Sequence, residues 1–174
     1  MLAVMNKSGQ VFVYNRDGSA ISNGPFQVIN VNEEAGGAFI GMLAYDPSSN
    51  QVFFGNNMDS HVTPAYTHGL VAMHVQSNCT LALNWVQTVG IADEPVLIPA
   101  VVANGVVYYP AALNSAATLD SIHSVLYAFD TTGHPLWNSG QQITAGIFTA
   151  PTVVNGMLLV ADGSGKITSF TSRH

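Results

Sequence analysis

Short apolar runs, separated by glycine, asparagine and proline, fill most of the chain. Val101–Ala103 and Val106–Tyr109 are two such runs, and Asn104-Gly105 separates them. Both central residues of a two-residue hairpin turn need a positive φ angle, which Asn-Gly tolerates well, so this pattern predicts a β-hairpin. Runs of this length, without a sustained period of 3.6 residues, predict an all-β chain.

The predicted hairpin recurs along the sequence. Pro151–Val160 repeats Pro99–Tyr109 with a one-residue gap, and the two prolines lie 52 residues apart. Leu43–Gly55 is a third copy with a longer turn. Such self-similarity indicates one supersecondary unit that is repeated.

A third and a fourth strand follow each complete hairpin. Gly69–His74 corresponds to Ser124–Asp130, and the next strand ends in tryptophan in both units, at Trp85 and Trp137. The two tryptophans are again 52 residues apart. Four strands per unit at this period indicate the four-stranded antiparallel blades of a β-propeller.

The repeat predicts about three and a half blades in a single partial propeller domain over residues 1–174. In the first unit we expect the third strand of a blade at Met1–Tyr14 and the fourth around Ile21–Val31. The predicted units are a half blade at 1–36, blades at 37–90 and 91–142, and a partial blade at 143–174.

Propellers typically close with about four to eight blades, so we expect the chain to be a C-terminal or other portion of a propeller with about six to eight. An open arc exposes sheet edges, which natural proteins avoid. The alternatives are a small four-bladed closure that uses both partial blades, and completion of the ring by oligomerisation.

Two long polar segments interrupt the strands. Asn56–His68 and Ala111–Ile122 join the second and third strands of their units, and the second segment is better described as an inserted loop than as a helix. Loops that join corresponding strands lie on one face of a propeller and are the expected place for binding specificity.

Composition narrows the functional classes. Of 174 residues 48% are hydrophobic and 8% are charged, and four Lys and Arg against ten Asp and Glu leave a net charge of −6. Disordered chains have the opposite balance. Four scattered cations do not form the basic patch of a nucleic-acid-binding protein. No apolar run approaches the ~18 residues of a membrane span.

The single cysteine, Cys79, allows no disulfide within the chain, and we expect it to be a small buried apolar residue, although it could pair with another chain. Met1–Met5 has no basic segment and no long apolar core, so no secretory signal is visible. Either the protein is intracellular or the sequence is part of a longer one. The surface composition, rich in Asn, Ser and Thr and poor in Lys, favours an extracellular or periplasmic full-length protein.

The segment Tyr127–Trp137 resembles the repeat of the pyrroloquinoline-quinone-like (PQQ-like) β-propellers. In that family an Ala-x-Asp, a Gly and a Trp lock neighbouring blades together. Ala128, Asp130, Gly133 and Trp137 match these positions. Phe148–Gly156 is similar to the strand that opens a blade of this family.

The preceding blade departs from the family pattern, because His74 stands where Asp is expected and no Gly precedes Trp85. The indole of a docking tryptophan is a large flat surface that fills the gap between sheets, while its N–H finds a backbone acceptor. A small Ala leaves room for the ring. We therefore expect Trp85 and Trp137 to be structural and not ligand-stacking residues.

The resemblance includes quinoprotein dehydrogenases, whose activity needs an Asp base, a calcium ion and an adjacent-cysteine disulfide. Calcium prefers about six to eight oxygen ligands. Most of the acidic residues stand in turn contexts such as Asp17-Gly18, Asp46-Pro47 and Asp162-Gly163. We therefore expect no catalytic residue and no cofactor, and PQQ and calcium enter only under the alternative that the chain is part of an alcohol or sugar dehydrogenase.

No other motif indicates a metal or phosphate site. His68 and His74 would lie about 20 Å apart along one extended strand, too far to share a metal. His61 lies in the same loop as His68 but nothing fixes the two together, and His123, His134 and His174 are isolated. Asp93-Glu94 is better explained as a solvated loop than as a cation site, and Gly163–Lys166 as a β-turn than as a phosphate-binding loop.

The sequence thus predicts a non-catalytic binding or scaffold propeller. The expected partner is a protein or small molecule that contacts the loop-bearing face or the central channel.

Overall fold

The computed structural model describes residues 1–17, 24–32, 42–60, 62, 64–93, 99–114 and 121–171. These residues form fourteen β-strands and no α-helix, and the strands make four antiparallel sheets of three, four, four and three strands. The prediction of an all-β chain is confirmed.

The strands are numbered in chain order. The first sheet contains β1 (Leu2–Met5), β2 (Gln10–Tyr14) and β3 (Gln27–Asn30). The second sheet contains β4 (Ala44–Asp46), β5 (Gln51–Asn56), β6 (Gly69–Val75) and β7 (Leu81–Gln87). The third sheet contains β8 (Val101–Ala103), β9 (Val106–Ala112), β10 (Ser124–Asp130) and β11 (Pro135–Asn138). The fourth sheet contains β12 (Thr152–Val154), β13 (Met157–Ala161) and β14 (Ile167–Thr171).

Each sheet is a meander, because its strands are hydrogen-bonded in chain order. Consecutive sheets pack face to face through three apolar clusters. β5 shows how one strand serves two clusters: Val52 and Phe54 face the first sheet, while Phe53 faces the third. Meander sheets that pack face to face in chain order are the blades of a β-propeller, so the fold is an arc of about three and a half blades.

The prediction for the start of the chain was wrong in one respect. Met1–Tyr14 is not a single strand but the hairpin of β1 and β2, so the first sheet has three strands. The Asn6 Oδ1 atom accepts hydrogen bonds from the backbone N–H of Gln10 and the hydroxyl of Ser8, both at 2.9 Å, and Gly9 has a φ of 76°. These local bonds close a tight turn and end the first strand.

The same five-residue turn occurs twice more. Asp130 Oδ1 accepts from the backbone of Thr132 at 2.8 Å and of His134 at 3.0 Å. Asp162 Oδ1 accepts from the backbone of Ser164 at 3.0 Å and of Lys166 at 3.2 Å. An Asn or Asp, a Ser or Thr two residues later and a Gly in the fourth place define the turn.

The Asn-Gly hairpins form as the sequence predicts. Asn104 and Gly105 have φ angles of 52° and 75°, and Asn155 and Gly156 have φ angles of 50° and 73°. These positive values at both central positions are the ones that such two-residue turns require.

Connections alternate between two ends of every sheet, because neighbouring strands run in opposite directions. We call the turn face the end that carries the Asn-Gly turns and the turns at 76–80 and 131–134. The loop face is the opposite end, where the described ends of the segments 57–68 and 113–123 and of the connections between sheets lie. The core of the loop predicted at 114–118 falls largely on residues 115–120, outside the described residues.

Candidate functional site

Trp85 lies at the junction between the second and third sheets. Its Nε1 atom donates a hydrogen bond of 3.1 Å to the carbonyl of Thr131, in the turn between β10 and β11. A Cβ atom added to Gly133 would lie 3.1 Å from Cδ2 of the indole, so the glycine allows the ring to lie directly on the turn. The ring also packs on Phe53 at a centroid distance of 5.8 Å.

Three amide side chains surround this indole, and the sequence pattern did not indicate them. Gln87 donates to the carbonyl of Gly133 at 2.7 Å, and Gln51 donates to the carbonyl of Thr131 at 2.9 Å. Asn84 in turn donates to Oε1 of Gln51 at 2.7 Å. Because Thr131 accepts bonds from both Gln51 and Trp85, the turn of the third sheet is held at several points by the second.

Asp130 shapes the turn from within and does not reach across the junction. Its carboxylate accepts a hydrogen bond of 2.7 Å from the hydroxyl of Thr132, besides the two backbone bonds. The bond from the Thr132 hydroxyl, followed by those from the backbone of His134 and Thr132, lowers the pKa of Asp130 to about 2.

The other two residues of the family pattern lie at the next junction. Ala128 is buried and lies opposite Trp137 in the register of β10 and β11. The Trp137 ring contacts Phe170 of the fourth sheet edge-on, at a centroid distance of 4.8 Å, and is 37% exposed. Within the third sheet, Gly133 therefore contacts the preceding sheet, and Trp137 contacts the following one.

The first junction has a glutamine where the next has tryptophan. Gln27 lies opposite Val13 on β2, just as Trp85 lies opposite Ala72 on β6. Its Nε2 donates to the carbonyl of Leu81 at 2.9 Å, and its Oε1 accepts from the N–H of Leu81 at 2.8 Å. The repeat pattern does not indicate this residue, because a glutamine stands where the next two units have tryptophan.

The prediction that Cys79 is buried was wrong, because the residue is exposed. It takes the fourth place of the turn between β6 and β7, with a φ of 65°, where Gly133 stands in the third sheet with a φ of 92°. Both residues donate their N–H to the first residue of the turn, at 2.9 Å for Cys79 and 3.0 Å for Gly133. Gly133 is buried beneath the Trp85 indole, whereas no indole covers Cys79 and its side chain is exposed.

The loop face of the second sheet is organised by its own side chains. Asn56 Nδ2 donates to the carbonyls of Met58 at 2.7 Å and Thr67 at 2.9 Å, which closes the base of the loop. His68 Nδ1 lies 2.8 Å from Oδ1 of Asp59. The N–H of Asp93, in the connection to the third sheet, donates to the carbonyl of Asn57 at 2.6 Å.

The described acidic side chains serve local structure. Asp46 accepts hydrogen bonds from Ser49 and Ser48, and the bond from the hydroxyl of Ser49 lowers the pKa of Asp46 most. The hydrogen bond from the hydroxyl of Ser164 lowers the pKa of Asp162. Over the described part of the chain, no three His, Cys, Asp or Glu side chains come together in a group that could hold a metal.

Four of the histidines are described, and His68 lies beside Asp59. His74 is exposed on β6, and His123 and His134 lie at the ends of the third sheet. His61, His174, Glu33, Glu34, Glu94 and Asp120 lie outside the described residues.

No family model matches the chain, and no curated protein matches it. Among solved structures, the chain is similar to the crystal structure of BamB from Moraxella catarrhalis, with 18% sequence identity and a TM-score of 0.42. The match covers 97% of this chain and 54% of that chain, so the chain spans about half the length of that protein.

None of the described residues belongs to a helix long and apolar enough to cross a membrane.

Proposed function

We propose that this chain is a non-catalytic PQQ-like repeat propeller that serves as a binding or scaffold platform. It belongs to a longer exported bacterial protein, in the extracellular space or the periplasm, and meets its protein or small-molecule partner on the loop face. The observation that carries this proposal is the length of the connection between the second and third strands of a blade. This connection is short in the outer sheets and long in the central sheets.

In the fourth sheet this connection is a five-residue turn at 162–166. The three strands β1, β2 and β3 of the first sheet correspond to the second, third and fourth strands of a central sheet, and the same connection is there the five-residue turn at 6–10. In the second and third sheets it extends over 57–68 and 113–123. A tight turn is enough to continue the meander, so the longer segments are not needed for the fold. Side-chain bonds join the described residues at the two ends of the second segment, from Asn114 to the carbonyl of Ser121 at 2.8 Å and from the N–H of His123 to Asn114 at 2.7 Å. An insertion on one face of a regular scaffold is typical of a binding surface.

A photo-crosslinking amino acid placed at each face tests this proposal. Leu113 is an exposed residue of the loop face, and Ser77 is an exposed residue of the turn face that serves as the matched control. In an envelope extract of the source organism, we expect a discrete covalent adduct from position 113 and none from position 77. Adducts from position 77 alone, or equal adducts from both, would contradict a partner on the loop face.

The outer faces of the end sheets support the proposal that the chain is part of a larger ring. Leu2, Val4 and Val28 of the first sheet are exposed, and so is Ile167 of the fourth. In the second and third sheets, both faces are covered by neighbours. We expect the isolated chain to self-associate through these faces in light scattering after size-exclusion chromatography. A monodisperse monomer that unfolds cooperatively would contradict this expectation.

The alternative function, a portion of a PQQ-dependent alcohol or sugar dehydrogenase, has less support. What speaks against a calcium-bound quinone is that the carboxylates of Asp46, Asp130 and Asp162 accept hydrogen bonds within their own turns. Titration of the complete gene product with PQQ and calcium separates the two functions. We expect neither an absorbance shift nor dye-linked oxidation of alcohols, and a positive result in both would establish the alternative.

A further inference from the structure

The outer faces of the first and fourth sheets are both apolar and uncovered. Val4, Phe12 and Val28 form a row across β1, β2 and β3, because Val4 pairs with Phe12 and Phe12 pairs with Val28. Val4 is 44% exposed. On the fourth sheet, Met157 and Ile167 lie on the face turned away from the third sheet, and Ile167 is 71% exposed. Exposed apolar patches of this kind mark interaction surfaces.

The strands of these two sheets carry no charge. None of the residues of β1, β2, β3, β12, β13 and β14 is Asp, Glu, Lys, Arg or His. Natural proteins commonly protect free sheet edges from association with charged side chains. The absence of such side chains from these strands favours a state in which both sheets are covered.

The two uncovered faces are complementary in direction. We call the forward face of a sheet the one turned toward the next sheet along the chain, and the backward face the opposite one. In the second sheet, Val52 and Phe54 lie on the backward face and Phe53 on the forward face. The first sheet buries its forward face, with Val11 and Val13, and the fourth sheet buries its backward face. The uncovered pair is therefore a backward face and a forward face, as at every junction within the chain.

Both end sheets also contain the strands that form the core of a junction. Between the first and second sheets, the buried residues come mainly from β2, β5 and β6, which are second or third strands of a blade. In the first sheet β1 and β2 take these places, and in the fourth sheet β13 and β14 take them. One more junction of the same kind can therefore form between these two sheets.

A single copy does not make this junction with itself. Over the described residues, no apolar cluster contains side chains from both the first and the fourth sheet. One copy has four sheets, so two copies have eight and three copies have twelve. Propellers typically close with about four to eight blades, so two copies fit this range and three exceed it.

We propose that two copies of this chain associate head to tail and close one ring of eight sheets. The forward face of each fourth sheet, with Met157 and Ile167, packs on the backward face of the other copy's first sheet, with Val4 and Phe12. The two junctions are equivalent by two-fold symmetry, and the ring leaves no end face open.

This inference rests on the proposed function, in which the chain is part of a larger ring, and it names what completes that ring. Because the two-fold axis runs along the axis of the propeller, both loop faces point to the same side. The ring then presents two copies of the binding surface to one partner, which increases the avidity for a partner with two matching sites.

Light scattering after size-exclusion chromatography tests the closed ring. We expect a species of twice the 18.3 kDa of one copy, whose mass does not grow further as the concentration is raised. A monomer at every concentration would overturn the proposal. Species that grow steadily with concentration would show an open head-to-tail polymer, and would overturn the closed ring.

Crosslinking between two single-cysteine variants tests the direction of the contact. Val4→Cys and Ile167→Cys are each made with Cys79→Ser, because Cys79 is exposed. With a short bis-maleimide we expect a covalent dimer when the two variants are mixed, and none from either variant alone. Ser77→Cys replaces Val4→Cys in the control mixture and should give no adduct. Adducts from one variant alone, or none from the mixture, would overturn the head-to-tail contact.

A charged substitution tests the apolar contact. Ile167→Lys places a charge on the forward face of the fourth sheet and should raise the dissociation constant of the dimer at least about tenfold, because the contact would bury the charge without a partner. Leu136→Lys is the matched control on an exposed leucine of β11, outside both end sheets, and should leave the constant unchanged. Equal constants for the two variants would overturn the proposal.

The complete gene product separates a second copy from further blades of the same polypeptide. If it is a monomer in which cysteines at positions 4 and 167 resist alkylation, further blades cover the faces and the second copy is rejected. The photo-crosslinks at position 113 report on the loop face alone. A dimer without these adducts would reject only the partner on the loop face, and adducts from a monomer would reject only the two-copy ring.

Discussion

The junction between the first and second sheets and the junction between the second and third sheets have equivalent backbone positions. The side chains that lie between the sheets differ. At the second junction, Trp85 lies on a turn whose fourth residue is Gly133, and the indole fills the gap. At the first, Gln27 reaches the start of β7, and the fourth residue of the adjoining turn is Cys79. The tryptophan and the glycine are thus replaced together.

This joint replacement has a steric reason. A side chain at position 133 would contact the indole, since its Cβ would lie 3.1 Å from the ring. At the first junction there is no indole, and a side chain at position 79 is tolerated although its backbone is left-handed. The comparison shows that Gly133 serves the ring as well as the turn, and that a turn without the glycine keeps its left-handed backbone at Cys79.

Trp85→Ala should have the largest effect on stability. Removing the partly buried ring leaves a cavity and loses the hydrogen bond to Thr131, so we expect a loss of about 3 kcal/mol in the free energy of unfolding. Denaturant titration measures it. Trp137→Ala is the matched control and should cost about half as much, because that ring is 37% exposed. Equal losses in the free energy of unfolding would contradict the expected difference between the Trp85 and Trp137 junctions.

Gly133→Ala should destabilise the protein by about 2 kcal/mol, because it adds a left-handed alanine and a close contact with the indole. Cys79→Gly should act in the opposite direction and stabilise by about 0.5 kcal/mol, since it relieves a left-handed residue where no ring lies nearby. Both changes are measured as shifts of the denaturant midpoint. A neutral Gly133→Ala variant would contradict the close packing at the second junction.

Gln27→Ala should cost about 1 kcal/mol, because two partly buried hydrogen bonds to the backbone of Leu81 are lost and water partly replaces them. Gln141→Ala, on an exposed glutamine, is the control and should be neutral within error. Unfolding of both variants in urea gives the comparison. A loss as large as that of Trp85→Ala would show that Gln27 stabilises the first junction as much as Trp85 stabilises the second.

The smallest expected effect is a loss of stability at low pH. The pKa of Asp130 lies at about 2 in the folded chain and near the ordinary 3.8 in the unfolded one. The unfolded state therefore takes up its proton first, and the stabilisation present above about pH 4 is lost as the pH falls toward 2. Asp46 and Asp162 shift in the same direction. Asp130→Asn should flatten this decline slightly, as measured by urea midpoints between about pH 5 and pH 2. A decline as steep as that of the unchanged protein would contradict the role of Asp130.

Local sequence patterns were sufficient to predict the strands and most turns. Asn104-Gly105 and Asn155-Gly156 predict hairpins because their backbone preference is intrinsic to the two residues. The turn at 6–10 was missed, although its Asn-x-Ser-Gly pattern is present in the sequence, because the apolar residues on both sides were treated as one strand. The burial of Cys79 was predicted wrongly because average preferences for a residue type do not include its place in a turn.

The amino-acid sequence specifies the all-β class, the repeat and the residues that form most turns, since these depend on preferences within a few neighbouring residues. Packing between the sheets decides which sheet each docking residue contacts. Gly133 contacts the preceding sheet and Trp137 the following one, and Gln27 stands at the first junction where Trp85 stands at the second. These contacts join residues that are far apart in the sequence, and whether the space between two sheets is filled depends on the shapes of both surfaces together.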